Sequence, residues 1–274
     1  MIESEGAVEP HDAAAYFGRE AQFAREALGM SQVALATELH YQQPYVSKVE
    51  RGAQFASEEY AAGLDRLCRT PGVYVRLRAR LSEHGHPGWF VPYVKLEASA
   101  RAISEYSSAV VVGLLQTADY ATAIFRAALP REDDTQTKGR VAARLRRQEI
   151  LERKAPPLLW AILHESALRT VVGSRAIMRA QLEYLIHKSQ GPHVAVQVLP
   201  FDSGAPASSI PFILLTQADG NNVVWSESRG QGHMNDSTAV VTYAQDTYER
   251  MRAQALSPDK SRDLISQVME EHAR

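Results

Sequence analysis

Gln43, Ser47 and Lys48 sit close together in the segment Gln42-Gln43-Pro44-Tyr45-Val46-Ser47-Lys48-Val49-Glu50-Arg51-Gly52. If that segment is a helix, positions 43, 44, 47 and 48 share one side of it. A glutamine amide pairs one donor with one acceptor, the pattern that an adenine shows in the DNA major groove. A lysine ammonium can donate to guanine. Pro44 has no N–H and cannot read a base by hydrogen bonding. Direct readout therefore rests mainly on Gln43, Ser47 and Lys48. Upstream, Gln32 opens another apolar-periodic run. There its amide and the free N–H groups of a helix start can hold a phosphate. Tyr45 and Arg51 complete the candidate DNA-contacting set. Taken singly, Lys48 reads as a solvated lysine and Gln43 as a surface residue; the case lies in the spacing.

The elements that must position these groups are legible around them. Ser31 can cap a helix running to Leu39, with Leu35, Ala36 and Leu39 on one face. Ala36 is small where two helices must cross closely. Tyr41 is apolar in the turn, and Gln42 is a poor cap for the next helix. Val46 and Val49 turn the second helix towards the first, and Gly52 is placed to stop it. Two short helices joined by a short turn and packed across one another form a helix-turn-helix. Such a pair puts the start of its second helix against base edges while the first lies across the backbone. The surrounding stretch, Ala13 to about Leu81, reads as several short helices with no alternating, strand-like run.

Over about Ala14 to Leu81 the chain resembles the Xre, or λ-repressor-like, family. The resemblance is carried by Leu28-Gly29-Met30-Ser31-Gln32, Leu35-Ala36 and Val46-Ser47-Lys48-Val49-Glu50-Arg51-Gly52. It implies an all-α domain of five helices that binds DNA, and a structural pair between Arg25 and Glu50. It departs from the family at His40, where a turn glycine is usual, and at Pro44. Histidine tolerates positive φ better than most residues.

The chain has 274 residues, 45% hydrophobic and 23% charged, which is ordinary globular composition and suggests two domains. Its one cysteine, Cys68, excludes an internal disulfide framework and any multi-cysteine metal site, and fits a cytoplasmic compartment. Residues 1–12 carry four acids and no base. They read as a flexible acidic tail, neither a signal nor a transit peptide. No apolar run is long enough for a membrane span. The net charge of −2 argues against nucleic acid, but it is unevenly spread: residues 19–80 hold 9 Lys+Arg against 7 Asp+Glu. The surplus predicts modest non-specific affinity for DNA.

Residues 83–88, rich in His, Gly and Pro, read as a linker between a domain at 13–82 and a second at 89–274. The second reads as α+β, with a small sheet of about four strands: 158–163, 194–199, 211–216 and 222–226. Helices are expected at 115–129, 137–154, 174–190, 236–256 and 258–271. Ser257 caps the last, and Pro258 stands at its first position. This domain resembles a C-terminal domain of unknown function found behind Xre-type domains in many actinobacterial regulators. Its matching pieces include Gly113-Leu114-Leu115-Gln116-Thr117, Arg144 through Leu151, Val196-Gln197-Val198-Leu199-Pro200-Phe201 and Leu256-Ser257-Pro258. The resemblance implies a regulator of the developmental or antitoxin-like kind, often encoded beside a small partner protein.

No catalytic, metal or cofactor motif emerges, so an enzyme is not expected. His164-Glu165 are adjacent and point apart on regular structure, and His187 and His193 lack a third ligand nearby. Arg140, Arg144 and Arg147 share a helix face with Lys154. They could meet flanking phosphates or an acidic partner, or form a solvated stripe. In the last long helix, Val240, Ala244, Thr247, Tyr248, Met251 and Ala255 read as core, with a dimer seam as the alternative. A single short helix reads few base pairs, so a homodimer on paired half-sites is expected. The second domain would then dimerise, bind a small protein, or sense a small molecule.

Overall fold

The structure is a computed structural model that describes residues 13–52, 54, 56–82, 88–228 and 231–273. The expected tail at 1–12 and most of the linker lie outside the described residues. The described residues fall into two compact units, one drawn from 1–86 with 132–146, the other from 87–131 with 147–274.

The first unit carries α1 (Ala13–Ala27), α2 (Gln32–Glu38), α3 (Gln43–Glu50), α4 (Glu58–Cys68) and α5 (Val73–Ser82). Ser31 caps α2, its Oγ accepting from the Ala34 N–H, and Ser57 caps α4 through Tyr60 N–H. Gln42 precedes α3 without a side-chain cap. Phe17, Leu35, Val46, Val49, Tyr60 and Leu64 form the fully buried centre. Two glycines set how closely α1 approaches the end of α3. A Cβ on Gly18 would stand 2.3 Å from the Val49 carbonyl oxygen, and one on Gly52 2.6 Å from Ala15 Cα. His40 takes the left-handed turn position at φ 59°.

The second unit is α+β, built on a six-stranded mixed sheet. Its strands are β1 (Ala100–Ser107), β2 (Leu158–His164), β3 (Val194–Leu199), β4 (Phe212–Gln217), β5 (Asn222–Ser228) and β6 (Gln231–Asn235), in the order β3-β2-β1-β4-β5-β6. β1, β2 and β3 run parallel; β4, β5 and β6 pair antiparallel. The sheet thus has two strands beyond the four expected. β1 holds Arg101, Ser104 and Glu105, which blur its alternation, and β6 is a short edge without a β-branched residue. Both are strands because of the neighbours they pair with.

Around the sheet lie α6 (Val91–Ser99), α7 (Ala118–Ala128), α9 (Ser166–Arg169), α10 (Arg175–Lys188), α11 (Thr238–Gln254) and α12 (Pro258–Glu271), while α8 (Asp134–Gln148) falls in the first unit up to Arg146 and in the second from Arg147. One sheet face, with Ile103, Leu159, Leu163, Val198 and Leu215, packs on helical residues such as Leu182, Leu185 and Ile265. The other, with Tyr106, Ile162, Phe212 and Leu214, packs on Val241, Ala244, Tyr248 and Met251 of α11. The α11 stripe is therefore core, except that Val241 replaces Val240, which is 39% exposed. The β3 edge is sealed by its own chain: Leu256 N–H donates to Val198 O, and Ser261 Oγ accepts from Val198 N–H, each at 2.9 Å. No helix among the described residues is long and apolar enough to cross a membrane.

Candidate nucleic-acid interface

α2 and α3 bring Gln32 and Gln43 together. Gln43 Nε2 donates to Gln32 Oε1 at 2.8 Å, and Gln32 Nε2 donates to Glu50 Oε2, also at 2.8 Å. Arg25 closes the chain from α1. Its Nε and an Nη donate to the two Glu50 oxygens at 2.6 and 3.1 Å, and its other Nη donates to Met30 O. The hydrogen bonds to Glu50 raise the Arg25 pKa against the desolvation of its burial. Glu50 is 6% exposed, so this is an interior pair.

The chain of amides has a direction. A carboxylate only accepts, so Gln32 must present its NH₂ to Glu50 and its oxygen to Gln43. Gln43 must then donate. That leaves Gln43 with one N–H and its Oε1, the donor–acceptor pair that a bidentate adenine contact needs. One N–H of Gln32 also remains. Gln32 is thus first a brace for Gln43, a role that the spacing of the two residues does not reveal.

Pro44, Lys48 and Arg51 are exposed, and Ser47 is half-buried. Pro44 lies in the first turn of α3, where its missing N–H leaves no helical bond unmade. Arg51 caps α3 at its C-terminus, with Nε donating to Ser47 O at 3.2 Å. Tyr45 is half-buried. It turns inward, stacks on Tyr41 with ring centroids 4.5 Å apart, and meets Tyr60 edge-on. Its hydroxyl accepts from Ser57 N–H at 2.8 Å. Three tyrosines thus wedge α3 against α4. Tyr45 follows Pro44 on the helix, a step of about 100° that carries it off the outer face. Burial pushes the Tyr60 phenol well above its ordinary pKa.

The arginine stripe on α8 separates on inspection. Arg147 is no surface contact. Its side chain is 7% exposed and grips Glu97, itself 1% exposed, through two bonds of 2.7 Å. Tyr93 donates to the same carboxylate at 2.6 Å, and the guanidinium lies over the Phe90 ring at 4.9 Å. Desolvation would lower the Arg147 pKa, but the Glu97 charge outweighs it and raises it. Arg140 is held by Glu132 through bonds of 2.7 and 2.5 Å. Arg144 is half-buried. Helical spacing places the three on a common stripe and cannot see acids supplied from elsewhere. His164 and Glu165 likewise serve separate local bonds: His164 Nδ1 meets Ser166 Oγ at 2.6 Å, while Glu165 takes Arg169 and the Phe201 N–H.

Residues 17–80 match a family model described as a helix-turn-helix domain, a span that includes α2, α3 and the Arg25, Gln32, Gln43 and Glu50 chain. No curated protein and no solved structure matches the chain significantly. Residues 90–267 match the model of a domain of unknown function (DUF5753), well over half of the chain. The chain therefore belongs to the DUF5753 family, and carries that domain behind a helix-turn-helix domain.

Proposed function

We propose that this chain is a sequence-specific transcriptional regulator of the Xre type, acting in the cytoplasm and reading double-stranded DNA in the major groove through α3. The observation that carries the reading is the Arg25–Glu50–Gln32–Gln43 chain, which leaves Gln43 with one donor and one acceptor at the start of a helix. Lys48 and Arg51, both exposed, supply charge to the same element. The test is selection from a random-sequence duplex library with the full chain, then fluorescence anisotropy on the enriched duplex at fixed salt. Enrichment of a common motif, bound at least a thousandfold more tightly than random DNA, is expected. Failure to enrich any motif sinks the reading.

The regulator acts as a homodimer in this proposal, because the eight residues of α3 span too few base pairs for useful selectivity alone. Sedimentation of the full chain with the enriched duplex should give two chains per site. We further propose that the C-terminal domain answers to a small protein partner. Phe201 and Ile210, which border the loop between β3 and β4, are 53% and 59% exposed, apolar groups on one loop that a protein partner could cover. Co-purification from the native cell followed by reconstitution with the pure partner checks this; a partner that leaves DNA affinity unchanged argues against it.

A further inference from the structure

We propose that Pro44 is a specificity-determining residue that reads the C5-methyl group of a thymine; this rests on the DNA-binding reading above. Every outward position of α3 and its caps carries polar chemistry except this one. Gln42, Lys48 and Arg51 are exposed and polar, and Gln43 and Ser47 are half-buried and polar. Val46 and Val49 are fully buried. Pro44 is therefore the one exposed apolar side chain between residues 42 and 51.

Its placement gives it a task that its neighbours cannot do. The first turn of a recognition helix is the part that reaches base edges. There a pyrrolidine ring can neither donate nor accept, and the groove floor presents a single apolar feature, the thymine methyl. The ring is held without side-chain freedom, since it is closed on its own backbone nitrogen within a helical turn, so contact costs little conformational entropy. Gln43, the preceding residue, has its amide oriented by Gln32. A rigid apolar face thus stands beside an amide with one donor and one acceptor to offer. An A·T pair shows the matching surface: donor and acceptor on adenine, methyl on its partner. Pro44 and Gln43 together would favour A·T pairs at the start of α3, by contacts that fail separately.

The test uses the duplex enriched by the wild-type chain, resynthesised with uracil in place of each thymine in turn, a change that removes only the methyl. At one thymine beside the adenine lost to Gln43→Ala, uracil should weaken wild-type binding about fourfold, the worth of one buried carbon. Pro44→Ser, which puts a polar group where the ring stood, should bind the thymine duplex more weakly by a similar factor and be indifferent to uracil at that position. A purely structural proline would weaken binding to both duplexes and leave the uracil penalty intact, which overturns the inference. So does a wild-type chain that tolerates uracil throughout. Absence of any enriched duplex overturns both this and the DNA-binding reading, whereas a tight duplex without uracil sensitivity overturns this alone.

Discussion

Glu50 orients the Gln43 amide without touching it. Its carboxylate takes the Gln32 N–H at 2.8 Å, and Gln32 in turn takes the Gln43 N–H at 2.8 Å. The same carboxylate is gripped by Arg25 from α1. A structural ion pair and the Gln43 amide at the start of α3 are thus one hydrogen-bonded system.

Removing the brace should cost affinity without costing the fold. Gln32→Ala leaves the Gln43 amide free to rotate, and binding to the enriched duplex should fall about threefold to tenfold. Gln43→Ala should remove the proposed bidentate contact, worth about 1–3 kcal/mol, and relax preference at one base pair. In the double variant the losses should not add, since the brace acts only through Gln43. Hydrogen exchange of α2 and α3 that stays near wild type shows the fold is intact. Additive losses would mean that Gln32 has a separate contact of its own.

The N-terminal unit shows what local pattern can reveal. Ser31, Leu35, Val46 and Gly52 announce α2 and α3 because each acts within a turn or two of its own position. The packing of Tyr45 is not announced in the same way: its ring partners Tyr41 and Tyr60 come from the preceding turn and from α4. Arg147 escapes for a stronger reason. Glu97 lies 50 residues away in the chain, and nothing in either neighbourhood announces the other. β1 is hidden in the same manner. Its register between β2 and β4 is set by long-range pairing, while its own residues alternate poorly.

Tyr60 buries a hydroxyl that has no hydrogen-bond partner among the described residues. An unpaired buried hydroxyl costs free energy that a hydrogen atom would not. Tyr60→Phe should therefore leave stability unchanged or raise it by up to about 1 kcal/mol. Slower hydrogen exchange across α4 would record the gain. A clear loss would mean that the hydroxyl finds a partner, such as a buried water.

Asp65 should make the α4–α5 hairpin sensitive to acid. Burial pushes its carboxyl up, but bonds from Thr70 Oγ1 and the Val75 and Tyr74 N–H groups outweigh this and hold it below the ordinary 3.8. The folded pKa is thus below the unfolded one. The stabilisation is complete above about pH 5 and is lost as pH falls through the folded value. In Asp65→Asn that acid limb should shrink, and α5 should exchange faster at neutral pH because its start loses a charged acceptor. An unchanged acid limb would assign the sensitivity to other carboxylates.

The Glu97–Arg147 pair should be costly to halve and cheap to replace whole. Either Glu97→Gln or Arg147→Met strands a charge or its hydrogen-bonding partners in the interior, at about 3–5 kcal/mol. Replacing both by apolar residues of like volume, Glu97→Leu with Arg147→Met, should recover most of the loss. Tyr93 lies between the pair and Trp225, with ring centroids 4.9 Å apart. All three tryptophans fall in this unit, so fluorescence reports its unfolding in urea directly. A double variant as weak as the singles would show that the pair specifies the packing of α6 against the sheet.

Lys48 and Arg51 should separate base reading from charge. Both are exposed, and Arg51 sits at the C-terminal end of α3, away from its first turn. A residue that contacts a phosphate contributes about one unit to the slope of log affinity against log salt, for specific and random DNA alike. Arg51→Ala should flatten both slopes by about that amount and leave the preferred motif unchanged. Lys48→Ala should alter the motif at one base pair, with a larger loss on the enriched duplex than on random DNA. Equal losses on the two duplexes would make Lys48 a second phosphate contact. Base reading on α3 would then fall to Gln43, Pro44 and Ser47, and more of the sequence preference would have to come from pairing two half-sites.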